Sequence, residues 1–151
     1  MREIMFRAKI KNWEERSKEN QWVEGYYCKR KSGHYTDIGY EEEYKECIIK
    51  EFSDGGTTFC DVDPETVCQY TGLTDKNGKK IFEGDILSGK KYCDWGQGGE
   101  YEPDKCIIEW NEEHAAFDPV YWWEGYNHDL KHYEVVGNIF DNPELIDTAG
   151  I

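Results

Sequence analysis

Several common features are missing from this sequence, and each absence narrows what it encodes. No apolar run approaches the roughly 20 residues of a membrane helix, so no membrane association is expected. The opening stretch, Met1 to Lys11, carries a charge every few residues and has no apolar centre, so no secretory signal is expected either. Six cysteines are present (Cys28, Cys47, Cys60, Cys68, Cys93, Cys106), but no C-x-x-C or paired knuckle joins them. Structural zinc sites nearly always show such a short pair, and a reducing compartment disfavours disulfides. The expectation is therefore free thiols packed as small hydrophobes, as in Cys47-Ile48-Ile49 and Cys106-Ile107-Ile108.

The usual signs of catalysis are also lacking. There is no G-x-S-x-G, and serine is scarce. Gly-Gln-Gly-Gly at 96–99 lacks the Lys-Ser/Thr that completes a phosphate loop. His128 and His132 are four residues apart but have no H-E-x-x-H frame and no evident third ligand. Asp61-x-Asp63-x-Glu65 begins like a calcium loop, but Pro64 interrupts it, and the later glycine and closing glutamate are missing. No catalytic residue, metal or cofactor is expected, and the chain is read as noncatalytic.

Positive charge is in short supply. Eighteen Lys and Arg face 32 Asp and Glu, for a net charge of -14. The imbalance grows along the chain: 11 basic against 10 acidic groups in residues 1–50, 5 against 10 in 51–100, and 2 against 12 in 101–151. Such a chain repels nucleic-acid phosphate at long range and attracts basic surfaces. Direct binding of DNA or RNA is disfavoured. Its only foothold is the N-terminal set Arg2, Arg7, Lys9, Lys11 and Lys29 to Lys31.

What the chain does have is rings: 11 Tyr, 6 Phe and 6 Trp. Each buries roughly 150–250 Å² when packed, so they offset the modest aliphatic content and argue for a folded domain. The alternation of residues predicts strands at Met1–Ile10, Gln21–Arg30, Tyr44–Phe52, Thr57–Val62, Lys105–Asn111 and Tyr133–Phe140. Phe117 to Tyr121 is expected to pair with the strand before it. Turn residues cluster at Ser32–Gly39 and Ser53–Gly56, and an Asn-Gly hairpin signal stands at 77–78. Asp63-Pro64 reads as a turn or one capped helical turn, and Glu144–Ile146 as a last helical turn. Ser88–Asp104 is polar and Gly-rich and is expected to form a long mobile loop. The fold class is mainly β, an antiparallel barrel-like or sandwich-like sheet with minor short helices. No repeat or linker divides it, so residues 1–151 are read as one domain.

Three blocks carry a family resemblance: REIMFRAK near the start, VCQYTGLTDKNGKKIFEGDIL at 67–87, and YEVVGNIFDNPELI near the end. In this order they resemble the YopX family of phage and prophage proteins. The resemblance implies a mostly β domain, a phage or prophage origin and the cytoplasm of a bacterial host; it implies no reaction. The matching residues have structural readings. Asn77-Gly78 suits a turn with positive φ, and Gly84-Asp85 a tight turn whose carboxylate accepts backbone N–H groups. Gly137-Asn138 suits a bulge. Tyr70, Phe82, Val135 and Ile139 read as core.

One stretch stands apart, WNEEHAAFDPVYWWEGY at 110–126. Its rings either fill the core or, set among Glu112, Glu113, Asp118 and Glu124, form a binding surface with Tyr121, Trp122 and Trp123. Aromatic anchors ringed by carboxylates suit a partner rich in Arg and Lys. The reading is thus a phage accessory protein that binds a basic host or phage protein, with mimicry of nucleic acid as one version. Direct nucleic-acid binding and a self-assembling, homo-oligomeric phage component are the alternatives.

Overall fold

The computed structural model describes residues 3–93, 98–119, 126–127 and 130–147, and the chain divides into two compact units, Met1–Gln69 and Tyr70–Ile151.

In the first unit, β1 (Phe6–Lys9), β2 (Trp22–Thr36), β3 (Gly39–Glu51) and β4 (Thr57–Asp61) form an antiparallel sheet in the order β4-β3-β2-β1. The start of β5 (Cys68–Thr74) pairs with β1 through Phe6–Gln69 and Arg7–Cys68. One face gathers Ala8, Val23, Ile48 and Val62 into a core, with Phe6, Ile10, Tyr27, Cys60 and Val67 packed against it. Pro64–Thr66 forms a single 3-10 turn, and the Asp63 carboxylate accepts the Glu65 N–H at 3.1 Å. This is the capped helical turn that Asp63-Pro64 allowed.

The second unit takes the rest of β5, β6 (Lys80–Phe82), β7 (Asp85–Cys93), β8 (Glu100–Ile107), β9 (Glu109–Asn111), β10 (Ala116–Asp118), β11 (Tyr126–Asn127), β12 (Glu134–Asn138) and a one-turn helix α1 (Glu144–Asp147). β7 is central: β8, β11 and β12 all pair with it antiparallel. Ile81, Leu87, Ile108, Phe117 and Tyr133 form the core. Tyr70 and Phe82 are buried with their rings 5.4 Å apart, while Val135 and Ile139 are half-buried. The fold is mostly antiparallel β with short helical turns, and among the described residues no sheet closes into a barrel.

Four local expectations are corrected. Ser32–Gly39 is not one broad turn: the strands run on to Thr36 and from Gly39, leaving only residues 37–38 between them. The Tyr40 ring lies across the strand at Gly33, where a Cβ would meet its hydroxyl. Nor do the described residues of the 88–104 segment form a loop: 88–93 and 100–104 are strand. Eight residue pairs, from Ile86–Ile107 to Cys93–Glu100, zip β7 to β8. The Tyr92–Tyr101 ring pair at 5.3 Å and the Lys91–Asp104 ion pair at 3.4 Å hold what composition alone made look loose.

The Lys105–Asn111 strand is split at Ile108, whose N–H and C=O turn instead to Asp85 and Gly84, at 2.9 and 2.7 Å. Finally, only Gly78 of the Asn77-Gly78 pair takes positive φ, at 78°. The Asp75 carboxylate accepts the N–H groups of Asn77 and Lys79 at 2.8 and 2.9 Å, fixing a longer turn than a two-residue hairpin.

Candidate binding surfaces

Between the root of the first sheet and its tip, β2 and β3 pair, among the described residues, only with each other. β1 covers β2 at Trp22–Gly25, and β4 covers β3 at Cys47–Glu51. Beyond those residues the ladder continues from Lys29–Glu46 to Thr36–Gly39. The free stretch of each strand spans about 25 Å at roughly 3.3 Å per residue. Cross-strand partners share a face, so Tyr27 and Ile48 at the root lie on the same side as Lys31, Tyr35, Tyr40, Glu42 and Tyr44 farther out. At the root this face is core. Toward the tip it is open: Tyr35 is 86% exposed, Tyr44 68%, Tyr40 52%, and Ile38 in the turn 92%. The Tyr35 and Tyr40 rings meet at 5.1 Å.

Residues 32–44 contain Asp37, Glu41, Glu42 and Glu43 and neither lysine nor arginine. All four carboxylates are exposed. The sequence reading missed this acidic, aromatic hairpin because the first 50 residues are nearly neutral in sum. The signal was local: four acids and four large apolar side chains at the tip, with Lys29, Arg30, Lys31 and Lys45 confined to the root.

Of the residues expected to form the C-terminal surface, Glu112 and Glu113 are exposed in the turn between β9 and β10. Trp110 is half-open, and its ring meets the edge of Phe117 at 5.0 Å. Phe117 is buried in the core. Asp118 is half-buried and accepts an amide hydrogen of Asn111 at 2.5 Å, so it braces the β9–β10 hairpin. Tyr121, Trp122, Trp123 and Glu124 lie outside the described residues, as does His128. The His132 ring meets that of Tyr101 in a tilted contact, with centroids 5.0 Å apart.

The basic residues of the nucleic-acid alternative are largely engaged within the chain. Lys9 is 1% exposed; its Nζ sits 3.5 Å from the centre of the Trp13 ring and 3.3 Å from the Gln21 side-chain oxygen. Arg7 stacks over Trp22 at 4.8 Å. Lys29 pairs with Glu46, Arg30 with Asp61 and Lys31 with Glu42, at 3.7, 4.0 and 2.7 Å. Arg2 lies outside the described residues.

The buried thiols are not tuned as nucleophiles. Burial, then the Asp61 carboxylate that accepts its S–H at 3.3 Å, push Cys47 up to about 11. Burial, then the nearby Asp104, push Cys106 up to about 12. A reactive cysteine needs the opposite shift. Among the described residues, no group of three or more metal-ligating side chains gathers, and no helix is long and apolar enough to cross a membrane.

The model of the family described as YopX protein matches residues 5–147, nearly the whole chain. The chain belongs to the YopX family. No curated protein matches it. Among solved structures, the crystal structure of protein EF1440 from Enterococcus faecalis aligns over 97% of this chain and 99% of that one, with 23% identity and a TM-score of 0.46.

In this YopX chain the 67–87 block is built as bracing. Asp85 is fully buried, and its carboxylate accepts the Phe82 N–H at 2.8 Å. Asp75 joins its turn to β12 by accepting the Val135 N–H at 3.0 Å. In the closing block, the Asn138 side-chain oxygen accepts the N–H groups of Phe140 and Asp141, just after a bulge between Val135 and Gly137.

Proposed function

We propose that this YopX-family chain is a noncatalytic phage or prophage accessory protein that docks on a basic protein of the host or phage in the bacterial cytoplasm. The observation that supports this most is the outer β2–β3 hairpin, where Tyr35, Ile38, Tyr40 and Tyr44 stand exposed among Asp37 and Glu41 to Glu43. Exposed rings contribute interface area at low entropic cost, while the surrounding carboxylates steer a cationic partner and reject an anionic one. Glu112 and Glu113 beside the half-open Trp110 offer a second patch of the same chemistry.

The full chain and a Tyr35→Ser/Tyr40→Ser variant serve as baits in host lysate over a salt series. Expected is a basic protein held at low ionic strength by the unaltered chain. It should be released as the Debye length falls toward about 3 Å at 1 M salt, and captured poorly by the variant. Failure to hold a basic protein, or equal capture by the variant, overturns the reading of the hairpin. Displacement of the captured protein by duplex DNA would mark the surface as a nucleic-acid mimic.

A further inference from the structure

The core face of the first sheet runs on past its core. Ile48 opposes Cys60 and Lys50 opposes Thr58, so these four side chains share one face of β3 and β4. Ile48 is fully buried, while Lys50 and Phe52 are exposed. There, at the end of β3 away from the hairpin tip, a pocket of about 490 Å³ opens between the strands and residues 16–20. It falls within the roughly 300–1,000 Å³ of small-ligand sites. Its floor is apolar: Val23 belongs to the core, Ile10 and Cys60 pack against it, and Phe52 adds a ring that is 48% exposed.

The rim is cationic, against the balance of the chain. Arg16 and Lys50 line it from separate segments, and Glu19 is the one carboxylate on the lining. Lys29, Arg30, Lys31, Lys45, Lys76 and Lys91 each have a carboxylate partner. Among the described residues Arg16 and Lys50 have none, and the Lys50 ammonium has only the Phe52 ring, 5.8 Å from its centre. Glu19 is turned to its own segment, where its own N–H and the Ser17 hydroxyl hold the carboxyl below its usual value. The half-buried Thr58 hydroxyl has no hydrogen-bond partner among the described residues.

We propose that this pocket binds a small organic anion, its apolar body on Ile10, Val23, Phe52 and Cys60 and its acidic head within reach of Arg16 and Lys50. The ligand supplies the anionic partner that 32 acidic residues of the chain do not. Arg16 presents a planar fork to two oxygens, Lys50 a point charge and Thr58 a further donor. The net charge of -14 does not forbid this, because exposed charges beyond about 8 Å are largely screened at physiological ionic strength. A cationic ligand would meet two like charges, and a neutral one would gain the floor alone. The site lies at the opposite end of β3 from Tyr40 and does not depend on the reading of the hairpin as a docking element.

The test is a titration of the full ¹⁵N-labelled chain with octanoate, octyl phosphate, octanol and octylammonium, which share one apolar body and differ in the head. Expected are saturable shifts of the backbone amides of 16–23, 50–52 and 58–60. At least one of the two anions should bind about tenfold tighter than octanol, the gain from charge-assisted contacts at a partly exposed site, and octylammonium should bind more weakly than octanol. The tighter anion assigns the head group as carboxylate or phosphate. Arg16→Gln/Lys50→Gln, which alters only exposed side chains, should bring both anions to the level of octanol and leave octanol unchanged. Phe52→Ser, an independent change to the floor, should weaken all four ligands. Binding of both anions no tighter than octanol, no saturable shift with either anion, or shifts centred outside these segments overturns the proposal.

Discussion

The two units use the same residue type in opposite ways. In the first, the carboxylates of Asp37 and Glu41 to Glu43 stand in water beside exposed tyrosines. In the second, Asp75 and Asp85 are 7% and 0% exposed and are held by backbone N–H groups, while Asp104 accepts the hydroxyl of the buried Tyr133 at 2.9 Å. An inward carboxylate must be compensated by donors or it unfolds its surroundings; an outward one stays hydrated, as Asp37 and Glu41 do, or makes an exposed ion pair, as Glu42 does with Lys31 and Glu43 with Lys45. Rings divide likewise: Phe82, Phe117 and Tyr133 make core, and Tyr35, Tyr40 and Tyr44 do not. Acidity and aromatic content therefore contribute to stability in the second unit and to surface chemistry in the hairpin.

The sharpest way to break this comparison is to truncate one apolar side chain in each place. Leu87→Ala, at 0% exposure in the second core, should lower unfolding stability by about 3 kcal/mol. Tyr35→Ala should stay within about 0.5 kcal/mol of the unaltered chain. Urea denaturation followed by near-UV dichroism reads both, and a Tyr35→Ala loss comparable to that of Leu87→Ala would show that the hairpin tip is a structural core.

The carboxylates offer the next contrast. Asp85→Ala orphans the Phe82 N–H inside the protein and should cost about 2 kcal/mol. Glu42→Ala removes only an exposed pair with Lys31 and should cost about 0.5 kcal/mol or less, still smaller in high salt. Similar losses for the two would erase the distinction.

The smallest effect is in pH dependence. Burial pushes the Asp75 carboxyl up, but the N–H groups of Val135, Lys79 and Asn77 together outweigh it and hold the carboxyl below its usual value. A carboxyl lowered on folding stabilises the protein above its unfolded value of about 3.9, and that contribution disappears as pH falls through the folded value. Asp75→Asn should therefore be less stable than the unaltered chain at neutral pH, by about 1 kcal/mol. The gap should narrow once pH drops below about 4, as urea midpoints on either side will show.

Much of the local architecture is legible in the residues. The Asp63-Pro64 turn, the Asp85 brace, the Cys47-Ile48-Ile49 strand centre and the family blocks each follow from one residue's geometry or from alternation over a few positions. The Ser88–Asp104 segment was not legible, because its stability comes from pairing Tyr92 with Tyr101 and Lys91 with Asp104 across β7 and β8. The hairpin surface was hidden for a related reason. Ser32, Gly33 and Gly39 look like turn formers until Tyr40 is seen to lie across Gly33.

The sequence by itself determined the antiparallel β class, the excess of negative charge and the YopX membership, since these depend on composition, alternation and short motifs. Only the tertiary structure decided which acids and rings face water and which cations are already held by Trp13, Trp22, Glu46, Asp61 and Glu42. Exposure and ion pairing are properties of strands brought together from distant parts of the chain, and no local pattern specifies them.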